Sequence, residues 1–136
     1  MASIYKEISV SVEPQYVWEA VRDVENVHKR LVPGYASSAL TDGDTRILAM
    51  ANGNMVKELI ISIDDYNYRL AYAVIESQMR LLYHHASFQV IPEEKSSCKL
   101  IWITDFLPHE LEPEIRARID RGAVVIKNTL EKQFLK

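Results

Sequence analysis

The chain has 136 residues, 48% of them apolar and 26% charged, with a formal net charge of -3 and a sequence pI of about 5.8. Such a composition suits one globular domain, residues 1–136, that buries roughly two-thirds of its unfolded surface. The Lys and Arg residues are interleaved with acids and lack the basic stripe of a nucleic-acid binder.

No apolar run approaches the length of a membrane span, and the opening segment alternates where a signal peptide would be continuously apolar. Cys98 is the only cysteine, so neither an intramolecular disulfide nor a cysteine metal cluster is available. These features predict a soluble cytoplasmic protein with no stable membrane insertion, no metal and no cofactor. Nothing in the pattern indicates a homo-oligomer, and nothing forbids one.

In chain order, Ser3 to Val12 alternates Ile4, Ile8, Val10 and Val12 with Tyr5, Glu7, Ser9 and Ser11, a period-two strand with one exception at Lys6. Pro14 is suited to open a helix in which Val17, Trp18 and Val21 share a face. A second short helical piece, Val24 to Leu31, must stop before Pro33-Gly34.

From Tyr35 the chain reads as a meander. Residues 35–42 and 45–51 flank the Asp42-Gly43-Asp44 turn, and Asn52-Gly53-Asn54 leads into 55–64. Asp64-Asp65 turns the chain into 69–76, followed by 81–91, a polar loop over 92–97 and a last strand, 98–107. On that strand both sides are apolar. Trp102 and Phe106 are the larger apolar payload and are assigned inward with Leu100.

Pro113 then opens a helix that runs without interruption to Leu135, with Leu111, Ile115, Ile119, Ile126, Leu130 and Phe134 at helical spacing. Gly122 completes this stripe although glycine costs about 1 kcal/mol there relative to alanine. It is read chiefly as close packing of the helix backbone on a bulky sheet residue, and alternatively as room for a ligand. Glu112/Arg116 and Glu114/Arg118 form i,i+4 pairs near the helix start. One face must be buried, and almost everything before it reads as strand, so a sheet wrapped around this helix is expected.

Several stretches carry a resemblance: Ile8 to Pro14 running into Val17-Trp18, Val24-Glu25-Asn26, Leu31-Val32-Pro33-Gly34, Lys57-Glu58-Leu59, Asp64-Asp65, Arg69 to Tyr72, and Leu100-Ile101-Trp102. Together with the element order they resemble the START and birch-pollen-allergen-like (SRPBCC) superfamily, most closely its small polyketide cyclase/dehydrase and lipid transport type. The resemblance implies an α+β helix-grip fold: a seven-stranded curved antiparallel sheet in the order β-α-α-β6-α, gripping the C-terminal helix around an apolar cavity. It specifies fold and leaves function open.

Side chains that could carry chemistry are few. His84 and His85 are adjacent on a strand, point to opposite faces and cannot share one metal. His84 travels with Leu82, Ala86, Phe88 and Val90 toward the core, either as a satisfied core histidine or as a ligand-binding or acid/base group, with Tyr72 as a second polar tip. Glu58 and Arg69, on strands joined by the Asp64-Asp65 turn, would pair on the outer face or anchor a ligand if inward.

Phe88, Trp102, Phe106, Ile119, Gly122 and Ile126 would wall the cavity. The leading expectation is a binding or carrier protein for a small hydrophobic molecule: a lipid, polyketide or aromatic metabolite. The alternatives are a polyketide cyclase or dehydratase, with His84 moving a proton, and a protein-interaction module on the same scaffold.

Overall fold

The computed structural model describes residues 2–135. Its strands are β1 (Ala2–Val10), β2 (Ala36–Asp42), β3 (Thr45–Met50), β4 (Met55–Asp64), β5 (Arg69–Glu76), β6 (Tyr83–Glu94) and β7 (Ser97–Leu107). They form one seven-stranded antiparallel sheet in the order β1-β7-β6-β5-β4-β3-β2. Strands β2 to β7 are a meander, and β1 joins its far edge beside β7. Helices α1 (Pro14–Arg22), α2 (Val27–Arg30) and α3 (Glu112–Phe134) complete the helix-grip α+β fold, a 3-10 turn (Val24–Asn26) leading into α2.

The hairpins follow from local turn chemistry. Gly43 and Gly53 take φ of +61° and +90°, a region costly for residues with a Cβ. Asp64 accepts hydrogen bonds from the backbone amides of Tyr66 and Asn67, which closes the β4–β5 turn.

The expected polar loop over 92–97 is instead mostly strand, since β6 runs to Glu94 and β7 starts at Ser97. Pro92, with no amide proton to give, sits opposite Cys98 where the register shifts, and a bulge is the place a sheet tolerates proline. At the other end of β6 pairing begins only at Tyr83, which leaves residues 77–82 free to bend over the sheet.

Alternation selects the buried face. On β7, Leu100, Thr104 and Phe106 are buried and Trp102 shares their side; on β6, Ala86, Phe88 and Val90 do the same. Trp102 and Phe106 therefore face inward. Lys6, the exception in β1, reaches from the apolar side to Asp120 of α3 at 3.0 Å, so its charge escapes the core along the helix edge.

The buried stripe of α3 is Ile115, Ile119, Gly122, Ala123, Ile126, Thr129 and Leu130. A Cβ on Gly122 would lie 3.1 and 3.2 Å from the Trp102 ring, so this glycine is the close-packing device expected from its place in the stripe. Phe134 is 40% exposed and meets Tyr16 of α1 edge-on at 5.0 Å. Val124 points to solvent.

Helix α1 is anchored from its Trp18, which stacks on Tyr68 at 5.5 Å and donates its indole proton to Asp65 at 2.9 Å. Arg22 donates to the same carboxylate at 2.7 Å. These contacts explain why an acid follows Asp64 in a turn that Asp64 alone could close.

Candidate functional site

Between the inward face of the sheet, α2 and α3 lies a cavity in which about 160 Å³ is open to the centres of water-sized bodies. Ile115, Ile119, Gly122 and Ile126 form its helix wall, and Leu48, Val56, Val74, Phe88 and Trp102 its sheet wall. Val27, Leu31 and Val32 close it from the α2 side, and Met79 and Leu81 from the segment before β6. The wall carries an aromatic ladder, Phe88 stacked on Trp102 at 4.7 Å and Tyr72 on Phe88 at 6.1 Å.

Few polar groups reach this space. Arg46 and Glu58 are cross-strand partners in the β3–β4 register, with side chains only 4% and 7% exposed. Arg46 donates from Nε to Glu58 Oε1 at 2.8 Å, and its Nη2 lies 2.6 Å from the same oxygen. Its Nη1 donates to the Val24 carbonyl at 3.2 Å, tying the sheet to the turn ahead of α2. The guanidinium carbon is 5.9 Å from the Tyr72 ring centroid, within cation–π range.

Tyr72 accepts a hydrogen bond from Trp102 Nε1 at 3.2 Å. Among the described residues no acceptor takes its own proton, so the hydroxyl has a donor to offer the cavity. Burial, and secondarily the Glu58 carboxylate, push its pKa well above the ordinary 10.0, so the phenol stays protonated.

The His84 ring is 6.4 Å from that of Tyr72, and its Nδ1 is buried with no hydrogen-bond partner. Burial pushes the imidazole down to about 4, and the neighbouring His85 acts in the same direction. The imidazole is therefore neutral at pH 7. On the opposite face of β6, His85 pairs in register with Ala73 and Asp105. Among the described residues no three His, Cys, Asp or Glu side chains gather as a metal site. The Cys98 thiol is buried and pushed up to about 11 by desolvation.

Of the side chains singled out in the sequence, Glu58, Tyr72, His84, Phe88, Trp102, Ile119, Gly122 and Ile126 come together around this cavity. Two do not. Phe106 is wholly buried beyond it, in a second cluster with Ile4, Ile115 and Ile119. Arg69 pairs in register with Asp64 and Gln89, one residue out of phase with Leu70 and Tyr72, and so points to the outer face. The expected Glu58–Arg69 pairing is accordingly corrected: Glu58 stands opposite Val74 on β5 and takes its cation, Arg46, from β3. A signal for Arg46 existed in its period-two spacing with Leu48 and Met50. Tyr35 and Arg118, also at the cavity, had none.

The fold has counterparts in known proteins. A family model described as "Polyketide cyclase / dehydrase and lipid transport" matches residues 1–131. The chain belongs to this family. No curated protein matches the sequence.

Among solved structures, XoxI from Bacillus cereus superposes with a TM-score of 0.83 at 21% identity, covering 100% of this chain and 97% of that one. Norcoclaurine synthase from Thalictrum flavum, in complex with dopamine and hydroxybenzaldehyde, gives 0.78 at 17% identity, with 98% and 86% covered. The Zhui aromatase/cyclase from Streptomyces sp. R1128 gives 0.79 at 15% identity, with 97% and 92% covered. At such identities the likeness shows the fold. Among the described residues no helix is long and apolar enough to cross a membrane.

Proposed function

We propose that the protein binds a small, largely apolar molecule in the cavity between the sheet and α3 and carries it without chemical change. The observation that carries this reading is an apolar cavity with neutral polar groups left over, among them the Tyr72 proton and the unpartnered His84 Nδ1. Apolar walls supply affinity by excluding water, and a few convergent polar groups set orientation. A buried polar atom with no partner is costly, and a ligand hydroxyl or carbonyl there would relieve that cost.

Volume narrows the class. A cavity of about 160 Å³ is close to the roughly 150 Å³ that holds a benzene-sized body, and below the range of about 300–1,000 Å³ for drug-sized ligands. That volume favours a single-ring aromatic. A long acyl chain or a folded polyketide would need Tyr35 or the 77–82 segment to move aside. The aromatic ladder favours the same choice.

The family description and the aromatase/cyclase among the structural neighbours also support a second reading, a cyclase or dehydratase. Under it a cavity residue would transfer a proton, and His84, held near 4, is a weak base at neutral pH and almost never an acid. A protein-interaction role would use another surface, such as the outer face where Leu59, Ile61 and Ile75 are 38%, 49% and 49% exposed.

Native mass spectrometry of freshly purified protein, followed by extraction and identification of any bound compound, tests the carrier reading. A co-purifying single-ring compound that returns unchanged after incubation is expected. Its conversion to product would favour the enzyme. A clean apo mass, with no thermal stabilisation by a panel of aromatic and acyl compounds at about a hundredfold above a micromolar Kd, where about 2.7 kcal/mol should appear, would overturn the proposal.

A further inference from the structure

We infer that the molecule carried is an amphipathic carboxylate, with its apolar ring in the cavity and its charged head at the mouth between Arg118 and Arg121. This rests on the carrier reading above and adds the charge and orientation of the ligand.

The interior has no room for a net charge. Arg46 and Glu58 neutralise one another, and the Arg46 donor turned away from Glu58 is taken by the Val24 carbonyl. Tyr72 and His84 are neutral at pH 7. An anion placed among them would be desolvated with no cation free to meet it.

The mouth is different. A shallow cleft shares Tyr35, Met50 and Arg118 with the cavity and adds Gly34, Asn52 and Arg121. Arg118 and Arg121 are three residues apart on α3, so their side chains leave the same side of the helix. Arg118 is 31% exposed on its side chain and makes one long contact, 3.4 Å from Nη2 to Glu114, which leaves its other donors unengaged. Arg121 is exposed and makes no ion pair or side-chain hydrogen bond among the described residues.

The nearby Asp120, which could have neutralised Arg121, is held by Lys6 at 3.0 Å. Two like charges thus leave the same side of α3 beside a cleft that shares Tyr35, Met50 and Arg118 with the apolar cavity, with a planar donor fork on each. The Tyr35 hydroxyl donates to the Arg118 carbonyl at 3.3 Å, so the backbone there is held by a contact that does not depend on the arginine side chain.

Isothermal titration calorimetry with 3-phenylpropanoate and its neutral counterpart 3-phenylpropan-1-ol tests this, on wild type, on Arg118→Gln/Arg121→Gln, and on Lys95→Gln in the β6–β7 turn as control. Urea unfolding verifies that each variant is folded. At about 0.02 M salt the acid should bind wild type about tenfold more tightly than the alcohol, and most of that preference should vanish near 0.5 M salt. The double variant should erase the preference, read as the ratio of the acid and alcohol affinities, and Lys95→Gln should leave that ratio unchanged.

Equal binding of acid and alcohol to wild type, or an acid preference that survives in the double variant, overturns the carboxylate inference and leaves the cavity reading standing. Binding of neither compound overturns both.

Discussion

Removing either member of the buried Arg46–Glu58 pair should destabilise the protein far more than removing both. Glu58→Leu deletes the acceptor of two short charged contacts, at 2.8 and 2.6 Å, and leaves the guanidinium with only the Val24 carbonyl at 3.2 Å. Hydrogen bonds to charged groups are worth about 1.5–3 kcal/mol each, and breaking one side of a buried pair costs about 3–5 kcal/mol.

That is a large part of a typical total stability of about 5–15 kcal/mol. Arg46→Met should cost a similar amount, because it strands a carboxylate only 7% exposed. The double variant removes both charges and keeps apolar bodies of comparable length, so it should lie within about 1 kcal/mol of wild type or above it. Equilibrium urea unfolding at pH 7, followed by the fluorescence of Trp18 and Trp102, gives the four free energies of the cycle. A coupling of at least about 2 kcal/mol is expected. Single variants that each cost under about 1 kcal/mol, or an additive double, would refute the picture of a dry, mutually dependent pair.

Gly122→Val should destabilise by about 1–3 kcal/mol through its clash with the Trp102 ring, and a crystal structure of the variant should show the cavity narrowed beside α3. Because burial holds His84 near 4 against an ordinary 6.5, the unfolded chain takes up that proton first as pH falls. Its contribution, complete above about pH 6.5, is lost toward pH 4, and the loss amounts to about 2 kcal/mol by pH 5. Urea midpoints at pH 7.5 and 5 should differ accordingly for wild type and much less for His84→Phe; equal differences in the two would sink the assignment. Tyr72→Phe should weaken a phenol or aryl ketone about five- to thirtyfold by calorimetry while leaving toluene unchanged, since only the polar ligands use the hydroxyl.

Much of the architecture was legible before any coordinates because it is written locally. The Asp42-Gly43-Asp44 and Asn52-Gly53-Asn54 turns, the alternation of β1, and the stripe from Ile115 to Leu130 each depend on residues near one another in the chain. Trp102 could be assigned inward on bulk alone, and Gly122 could be read as a close approach because glycine is otherwise penalised in a helix. The site was half legible. Alternation places His84 and Phe88 on the cavity side, whereas the sequence suggests the outer face first for Glu58 and only a polar tip near His84 for Tyr72; both line the cavity.

Tertiary structure alone decided the partners. Glu58 neighbours both β3 and β5, and only the register shows that Arg46 stands opposite while Arg69 falls on the other face. A one-residue offset inverts a strand's faces, and the shifts in β4 at Lys57/Glu58 and Ile60/Ser62 are such offsets. The size of the cavity and the gathering of Tyr35, Arg118 and Arg121 at its mouth depend on how α3 lies across the sheet. That angle is set by contacts such as Gly122 on Trp102 and Lys6 with Asp120, between residues far apart in the chain, which no local pattern encodes.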